Sequence, residues 1–134
     1  MMTDGTEVPA GLRYTAQHEW IRVEDGMAVI GVTDYAQKEM HEVVFVELPK
    51  PGKQVKQGEV LCIIETMKAI SEVYAPVGGT VAEANTALTT KPELVNTAPY
   101  GHGWLAKLKP AGSLKEELAK LMDAAAYRTF IEKK

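Results

Sequence analysis

Val60-Leu61-Cys62-Ile63-Ile64-Glu65-Thr66-Met67-Lys68-Ala69-Ile70-Ser71-Glu72-Val73-Tyr74-Ala75 is the stretch that decides the fold. Two short apolar-rich runs, Val60 to Ile64 and Ala69 to Ala75, flank Lys68, and turn signals close their outer ends, among them Pro76-Val77-Gly78-Gly79. Read as a hairpin, the stretch presents Lys68 at a solvent-exposed tip. A lysine held out on a stiff ribbon is open to a modifying enzyme that wraps around it, which suits attachment of a cofactor arm. The turn itself is poorly announced: Thr66, Met67 and Lys68 include none of the Gly, Pro, Asn or Asp residues that usually form hairpins. From the residues alone, an ordinary charge on a solvated surface is the commoner origin of such a lysine.

Working outward, Gln54-Val55-Lys56 and Thr80-Val81-Ala82-Glu83 alternate polar and apolar residues as half-buried strands do. Gly58 and Gly78-Gly79 punctuate the two halves at comparable distances from Lys68, a weak symmetry expected of two interlocked β-halves around one core. On the N-terminal side, Trp20 to Val23 and Met27 to Val32 are joined by Glu24-Asp25-Gly26. Asp-Gly supplies the positive backbone angles of a type I′ turn, so a hairpin is predicted. Thr33 or Asp34 then caps a short helix to about Met40, and with Asp34 as cap Gln37 completes a capping-box-like pair. Val43 to Leu48 reads as a strand stopped by Pro49 and Pro51-Gly52.

On the C-terminal side, Lys91-Pro92 fits the start of a single helical turn within residues 86–96. After a turn at Pro99-Tyr100-Gly101, Trp104, Ala106 and Leu108 fall on one strand face, with Lys107 and Lys109 on the other. The end is helical over 113–132. Ser113 with Glu116 is a capping box, and Leu114, Leu118, Leu121 and Ala125 form one apolar stripe that covers the sheet. Asp123 caps a second helix carrying Tyr127, Phe130 and Ile131, or the two helices run together.

Composition bounds what the chain can do. Its 134 residues suffice for one domain with a real core. A net charge of -3 offers no basic footprint for a phosphate backbone, so nucleic acid is not an expected partner. The longest apolar run is about five residues, against the ~20 that span a bilayer, and no secretory signal is expected. Asp4 and Glu7 argue against a retained transit peptide. A cytoplasmic protein with no membrane attachment is expected, and nothing demands more than a monomer. Residues 1–11 are polar, contain Gly5 and Pro9, and read as a flexible tail ahead of a domain spanning 12–134. The single cysteine, Cys62, lies in an apolar run and reads as a small buried hydrophobe rather than a nucleophile. His18, His41 and His102 match no metal-ligand spacing and are expected in polar surface roles.

Around Lys68, the residues Gly52, Val55, Gly58, Leu61, Glu65, Met67-Lys68, Pro76, Gly79 and Val81 resemble the repeated spacing of biotinyl and lipoyl carrier domains. Further stretches narrow the choice: His18-Glu19-Trp20, Gly31-Val32-Thr33-Asp34-Tyr35-Ala36-Gln37, Val44-Phe45-Val46-Glu47-Leu48-Pro49, Pro92-Glu93-Leu94-Val95-Asn96, Pro99-Tyr100-Gly101 and Gly103-Trp104. Together, from about Leu12 to Ile131, they are similar to the H proteins of the glycine cleavage system. The resemblance implies a mostly β fold, a barrel-sandwich hybrid with small peripheral and C-terminal helices. It also implies a non-catalytic carrier with lipoate in amide linkage on Lys68. Such a carrier takes the aminomethyl group of glycine from glycine decarboxylase (P protein) to aminomethyltransferase (T protein), serving one-carbon metabolism. Dihydrolipoyl dehydrogenase (L protein) then reoxidises it, and lipoate-attaching enzymes load it. The chemistry belongs to the cofactor, while the protein supplies attachment, orientation and protection.

The same resemblance marks Glu19, Ser71, Glu72 and His41 as candidates for the cleft that receives the arm. A carboxylate beside an amine favours its cationic form, so Glu19 and Glu72 are expected to hold the cargo nitrogen protonated; without the resemblance, both read as solvated charges. Several positions depart from the family pattern. Thr66-Met67 stands where Ser-Val is usual, and a methionine directly before the lysine is a mark of biotin carriers. Glu65 and Ala69 agree better with lipoylation. His41 occupies a position usually held by glycine, often where positive backbone angles are needed, and Cys62 one often held by glycine or alanine. A relay protein that hands lipoate to other complexes, and a biotin carboxyl carrier, are the alternative readings.

Overall fold

The computed structural model describes residues 5–133. Asp25 and Gly26 have φ of 50° and 76°, the doubly positive pattern of a type I′ turn, and they join β2 (Glu19–Glu24) to β3 (Met27–Val32). Glu65 pairs with Ile70 across the second predicted hairpin, formed by β6 (Val60–Thr66) and β7 (Ile70–Tyr74). The missing turn signal is supplied by a hydroxyl. Thr66 Oγ1 accepts from the N–H groups of Ala69 (3.2 Å) and Lys68 (3.4 Å), while Thr66 N donates to Ala69 O at 2.9 Å. A threonine side chain thus does what Asn or Asp does in commoner turns.

The remaining strands are β1 (Arg13–Tyr14), β4 (Val43–Glu47), β5 (Gln54–Val55), β8 (Gly79–Ala84) and β9 (Ala106–Pro110). Two antiparallel sheets result, ordered β1-β2-β3-β9-β8-β5 and β4-β6-β7. The fold is mostly β, as expected. Ile21, Ile30, Leu61, Val77, Val81 and Leu108 meet in one buried cluster between the sheets. Each such side chain contributes about 1.5–3 kcal/mol on leaving water. Val32, Ala36, Val46, Ile64 and Val73 form a second cluster toward the helix α1 (Asp34–Met40).

Two glycines show how tightly backbones approach. A Cβ on Gly31 would stand 2.6 Å from the Trp20 ring across the hairpin, and one on Gly79 would stand 2.3 Å from Lys109 O on β9. Trp20 and Val29 form, with Tyr14, Leu12 and Val8, a third cluster that the C-terminal helix covers. The expected flexible tail is therefore corrected over its described part. Glu7 N donates to Asp34 Oδ2 (2.9 Å), Tyr100 donates from its hydroxyl to Glu7 O (2.8 Å), and Val8 is buried. Apolar Val8 and Leu12 pin a segment whose polar composition suggested fraying; residues 1–4 lie outside the described residues.

Other expectations shift in detail. Residues 86–97 contribute two helical turns, α2 (Ala87–Thr90) and α3 (Leu94–Thr97), with Lys91-Pro92 between them. Trp104 precedes β9 and packs with the third cluster, away from Ala106 and Leu108. Ser113 makes no side-chain cap bond to α4 (Leu114–Ala119). Leu114, Leu118 and Leu121 do cover the core between the sheets, but the stripe does not continue to Ala125, which is exposed. Met122 instead pairs with Tyr14 through two backbone hydrogen bonds (2.8 and 2.9 Å), and this extended bridge breaks the helix. Asp123 Oδ1 then accepts from Ala126 N (2.9 Å) and caps α5 (Ala124–Glu132), which buries Tyr127 and Ile131.

Candidate functional site

Lys68 lies exposed in the loop between β6 and β7, beside Met67 (82% exposed) and Ile70 (69% exposed). Two hollows open from this tip. The outer one, of about 600 Å³, runs between Met67-Lys68-Ala69 on one wall and Glu39 to Glu42 on the other. The inner one, of about 440 Å³, is lined by Glu19, Val32, Tyr35, Ala36, Glu72 and Val73, among others. Glu39, Met40 and Ser71 line both, so they join into one groove between α1 and β7.

Helix α1 supplies one wall because its N-terminus is firmly placed. Thr33 is the cap, its Oγ1 accepting from Ala36 N at 3.1 Å. Asp34, one residue inside, takes the side-chain bond from Gln37 Nε2 at 2.7 Å. That spacing turns Tyr35, Ala36, Glu39 and Met40 toward the groove, residues three and four apart on one helical face. On the opposite wall the pleat of β7 buries Val73.

Glu19, at the inner end, is 2% exposed. Its Oε1 accepts from Thr15 Oγ1, and its Oε2 from Tyr74 N at 3.0 Å. Burial raises its carboxyl pKa above the usual carboxylate range, opposed by these two hydrogen bonds. A carboxyl in that condition is short of a countercharge, so a cation arriving in the groove lowers the cost of ionising it. Glu72, also on the inner hollow, is exposed and accepts from the Tyr74 hydroxyl at 3.0 Å. The sequence view of both glutamates as equivalent acids thus gives way to one buried and one solvated carboxyl.

His41 closes the last turn of α1 at the mouth of the outer hollow. It has φ 66° and ψ -152°, a region that is essentially glycine's and costs another residue about 1–3 kcal/mol. The expectation of positive φ at this position holds, and the surroundings enforce it. His41 N donates to Gln37 O (3.0 Å), while Asn96 Nδ2 donates to His41 O (2.7 Å) and Asn96 Oδ1 accepts from Val43 N (2.9 Å).

The groove brings together all five residues singled out in the sequence: Lys68, Ser71 and His41 near the mouth, Glu72 along it and Glu19 at its end. Sequence reading missed Tyr35, Glu39 and Met40, which the helical i, i+4 spacing after the Thr33 cap could have shown. His18 is a correction, since it is half-buried rather than a surface residue. Its Nδ1 and the Tyr127 hydroxyl are 2.8 Å apart, its ring packs against Tyr35 at 4.7 Å, and Tyr127 in turn meets Thr33 Oγ1 at 2.8 Å. Nothing marks this link in the sequence, because its partners are 109 residues apart. Cys62 is buried and its thiol pKa is pushed well up, chiefly by burial, which fits a packing residue. Among the described residues no group of three acidic, His or Cys side chains is placed to hold a metal ion. None of the helices there is long and apolar enough to cross a membrane.

The groove is apolar along its walls and acidic at its inner end. Its walls carry Met40, Val32, Ala36 and Val73 for a hydrocarbon chain, and its inner end offers the buried Glu19 carboxyl to a basic terminus. Comparison with known proteins places the chain in a family. The family model described as "Glycine cleavage H-protein" matches residues 12–134. A Pyrococcus abyssi protein described as "Probable glycine cleavage system H protein" is 54% identical over 127 residues, 94% of this chain and 93% of that one. The glycine cleavage system H protein of Halothermothrix orenii is 50% identical over 125 residues, 93% of this chain and 96% of the other. A crystal structure of a glycine cleavage system H protein from Mycobacterium marinum superposes with a TM-score of 0.80 at 35% identity, covering 90% of this chain and 95% of that one.

Proposed function

The chain belongs to the glycine cleavage H-protein family, and from that premise we propose that Lys68 bears lipoate in amide linkage and ferries the aminomethyl group of glycine. Membership supports a carrier role in glycine cleavage; the donor, acceptor and reoxidising partners are glycine decarboxylase, aminomethyltransferase and dihydrolipoyl dehydrogenase. The same proposal makes the chain a non-catalytic cytoplasmic component. The observation that carries it is the exposed Lys68 at the mouth of a groove that ends on a buried carboxyl.

When attached, the dithiolane supplies the sulfur that takes the cargo and the disulfide that is regenerated. The protein's own part is to hold, orient and shield. The Thr66 hydroxyl fixes the loop that projects Lys68, so the ε-amine meets a lipoate-attaching enzyme without unfolding the hairpin. Val32, Ala36, Met40 and Val73 give the groove apolar walls, against which a docked arm displaces water. Glu19, oriented by Thr15 and by the N–H of Tyr74, keeps a cargo amine protonated, which withholds the nitrogen lone pair that would expel the sulfur. Glu72 adds a second, solvated carboxyl along the approach. In this scheme the missing countercharge at Glu19 and the positive charge of the cargo relieve one another, so the loaded arm docks more strongly than the empty one.

Exchange of labelled carbon dioxide into glycine by the decarboxylase, with the lipoylated chain as the only carrier, tests the proposal. The parent supports exchange and Lys68→Arg does not. Exchange sustained by the arginine variant ends it.

A further inference from the structure

The Gln37 carbonyl and the Asn96 side chain hold His41 by its backbone from both sides, in a conformation that glycine would take without strain. Among the described residues, every hydrogen bond of His41 runs through that backbone. The imidazole is therefore not what stabilises the turn. Histidine stands on the rim of the outer hollow, across from Met67 and Lys68, where it is exposed to solvent. A purely structural role at this position favours glycine, so the ring calls for a use outside the turn.

An acyl arm on Lys68 brings one unavoidably polar group to the groove mouth: the amide that joins it to the lysine. That amide carries one N–H and one C=O. The nearby side chains of Met40, Met67 and Ala69 satisfy neither, and the carboxyl groups of Glu39 and Glu42 can accept from the N–H. The Thr66 hydroxyl is engaged in its own turn, which leaves Ser71 and His41 as the side chains on this hollow able to donate to the C=O. A neutral imidazole offers one donor and one acceptor. We propose that His41 is a latch, its ring hydrogen-bonding the tether amide across the outer hollow and holding the loaded arm in the groove. The latch rests on the reading of Lys68 as the lipoylated residue, and it extends that reading to a position where this chain carries an unexpected residue. It makes His41 a positioning residue that touches the tether and not the reacting sulfur.

The test compares His41→Gly and His41→Ala in protein whose intact mass shows the lipoyl increment. The arm is reduced and charged with formaldehyde and ammonia, and spontaneous formaldehyde release is timed. Losing one hydrogen bond raises release about two- to tenfold, and does so in both variants. Stability moves differently: glycine relieves the positive φ and raises Tm, whereas alanine keeps the strain and leaves Tm unchanged or lower. Faster release in both, despite that divergence in Tm, supports the latch. Release equal to the parent's in both, or faster only in the glycine variant, overturns it in favour of a backbone effect. A parent with no lipoyl increment removes the carrier reading and the latch with it, so the two failures are distinguishable.

Discussion

Replacing Tyr127 with Phe isolates the polar tie between the C-terminal helix and the groove. The ring stays stacked on Tyr14, whose centroid is 4.6 Å away with planes 9° apart, so packing is preserved and only the hydroxyl is lost. With it go two contacts of 2.8 Å, to His18 Nδ1 and to Thr33 Oγ1. At about 0.5–1.5 kcal/mol net for each hydrogen bond, the loss is about 2 kcal/mol. Thr33 is fully buried, so its hydroxyl finds no water in exchange. Unfolding entropy near 2.1 cal/mol/K per residue gives about 0.28 kcal/mol/K for a chain of this length, and 2 kcal/mol then lowers Tm by about 7 °C. Thermal melts followed by near-ultraviolet circular dichroism measure the shift. Because Thr33 also caps α1, amide exchange at Ala36 accelerates alongside. A Tm within about 2 °C of the parent, well below the shift the two bonds imply, refutes the view that this hydroxyl fastens the helix to the groove wall.

Glu19→Gln reads the buried carboxyl through pH. Burial raises its pKa above the ordinary 4.5, so the folded state favours the protonated form. The stability this contributes is complete below 4.5 and is lost as pH rises through the raised value. The unloaded Gln variant, which mimics that form, matches the parent in acid and exceeds it in urea midpoint at neutral pH; a parent that gains on the variant as pH rises contradicts the assignment. Gly31→Ala forces a Cβ to within 2.6 Å of the Trp20 ring, whose Nε1 donates to Pro99 O at 3.0 Å. Overpacking of about 1–3 kcal/mol is expected, visible as a lowered urea midpoint with weakened near-ultraviolet dichroism. A variant as stable as the parent shows that Trp20 moves aside freely.

Most of the β framework was legible because its signals are local. Asp25-Gly26 named its own turn, and the alternation around Val55 matched the pleat, whereas a register shift after Val81 leaves Ala82 and Glu83 both exposed. The Lys68 turn was not legible from local rules, since Thr66 acts through a hydroxyl that sequence reading treats as neutral; resemblance located it instead. The helix break at Met122 was missed because a backbone bridge to Tyr14, more than a hundred residues away in the chain, decides it. The same reason hid the packing of Val8 and the burial of His18. Both depend on α5 returning to the far side of the larger sheet, which no periodicity encodes. At the site, the candidate residues were recognised by type and family position, but the different fates of Glu19 and Glu72 needed the pleat and the Tyr74 N–H to be seen.

Intact mass of the chain co-expressed with a lipoate-attaching enzyme, parent beside Lys68→Arg, tests the central claim most directly. The account predicts one lipoyl increment on the parent, mapped to Lys68 by fragmentation, and none on the variant. An unmodified parent, an increment that persists in the variant, or a biotinyl mass at Lys68 contradicts it.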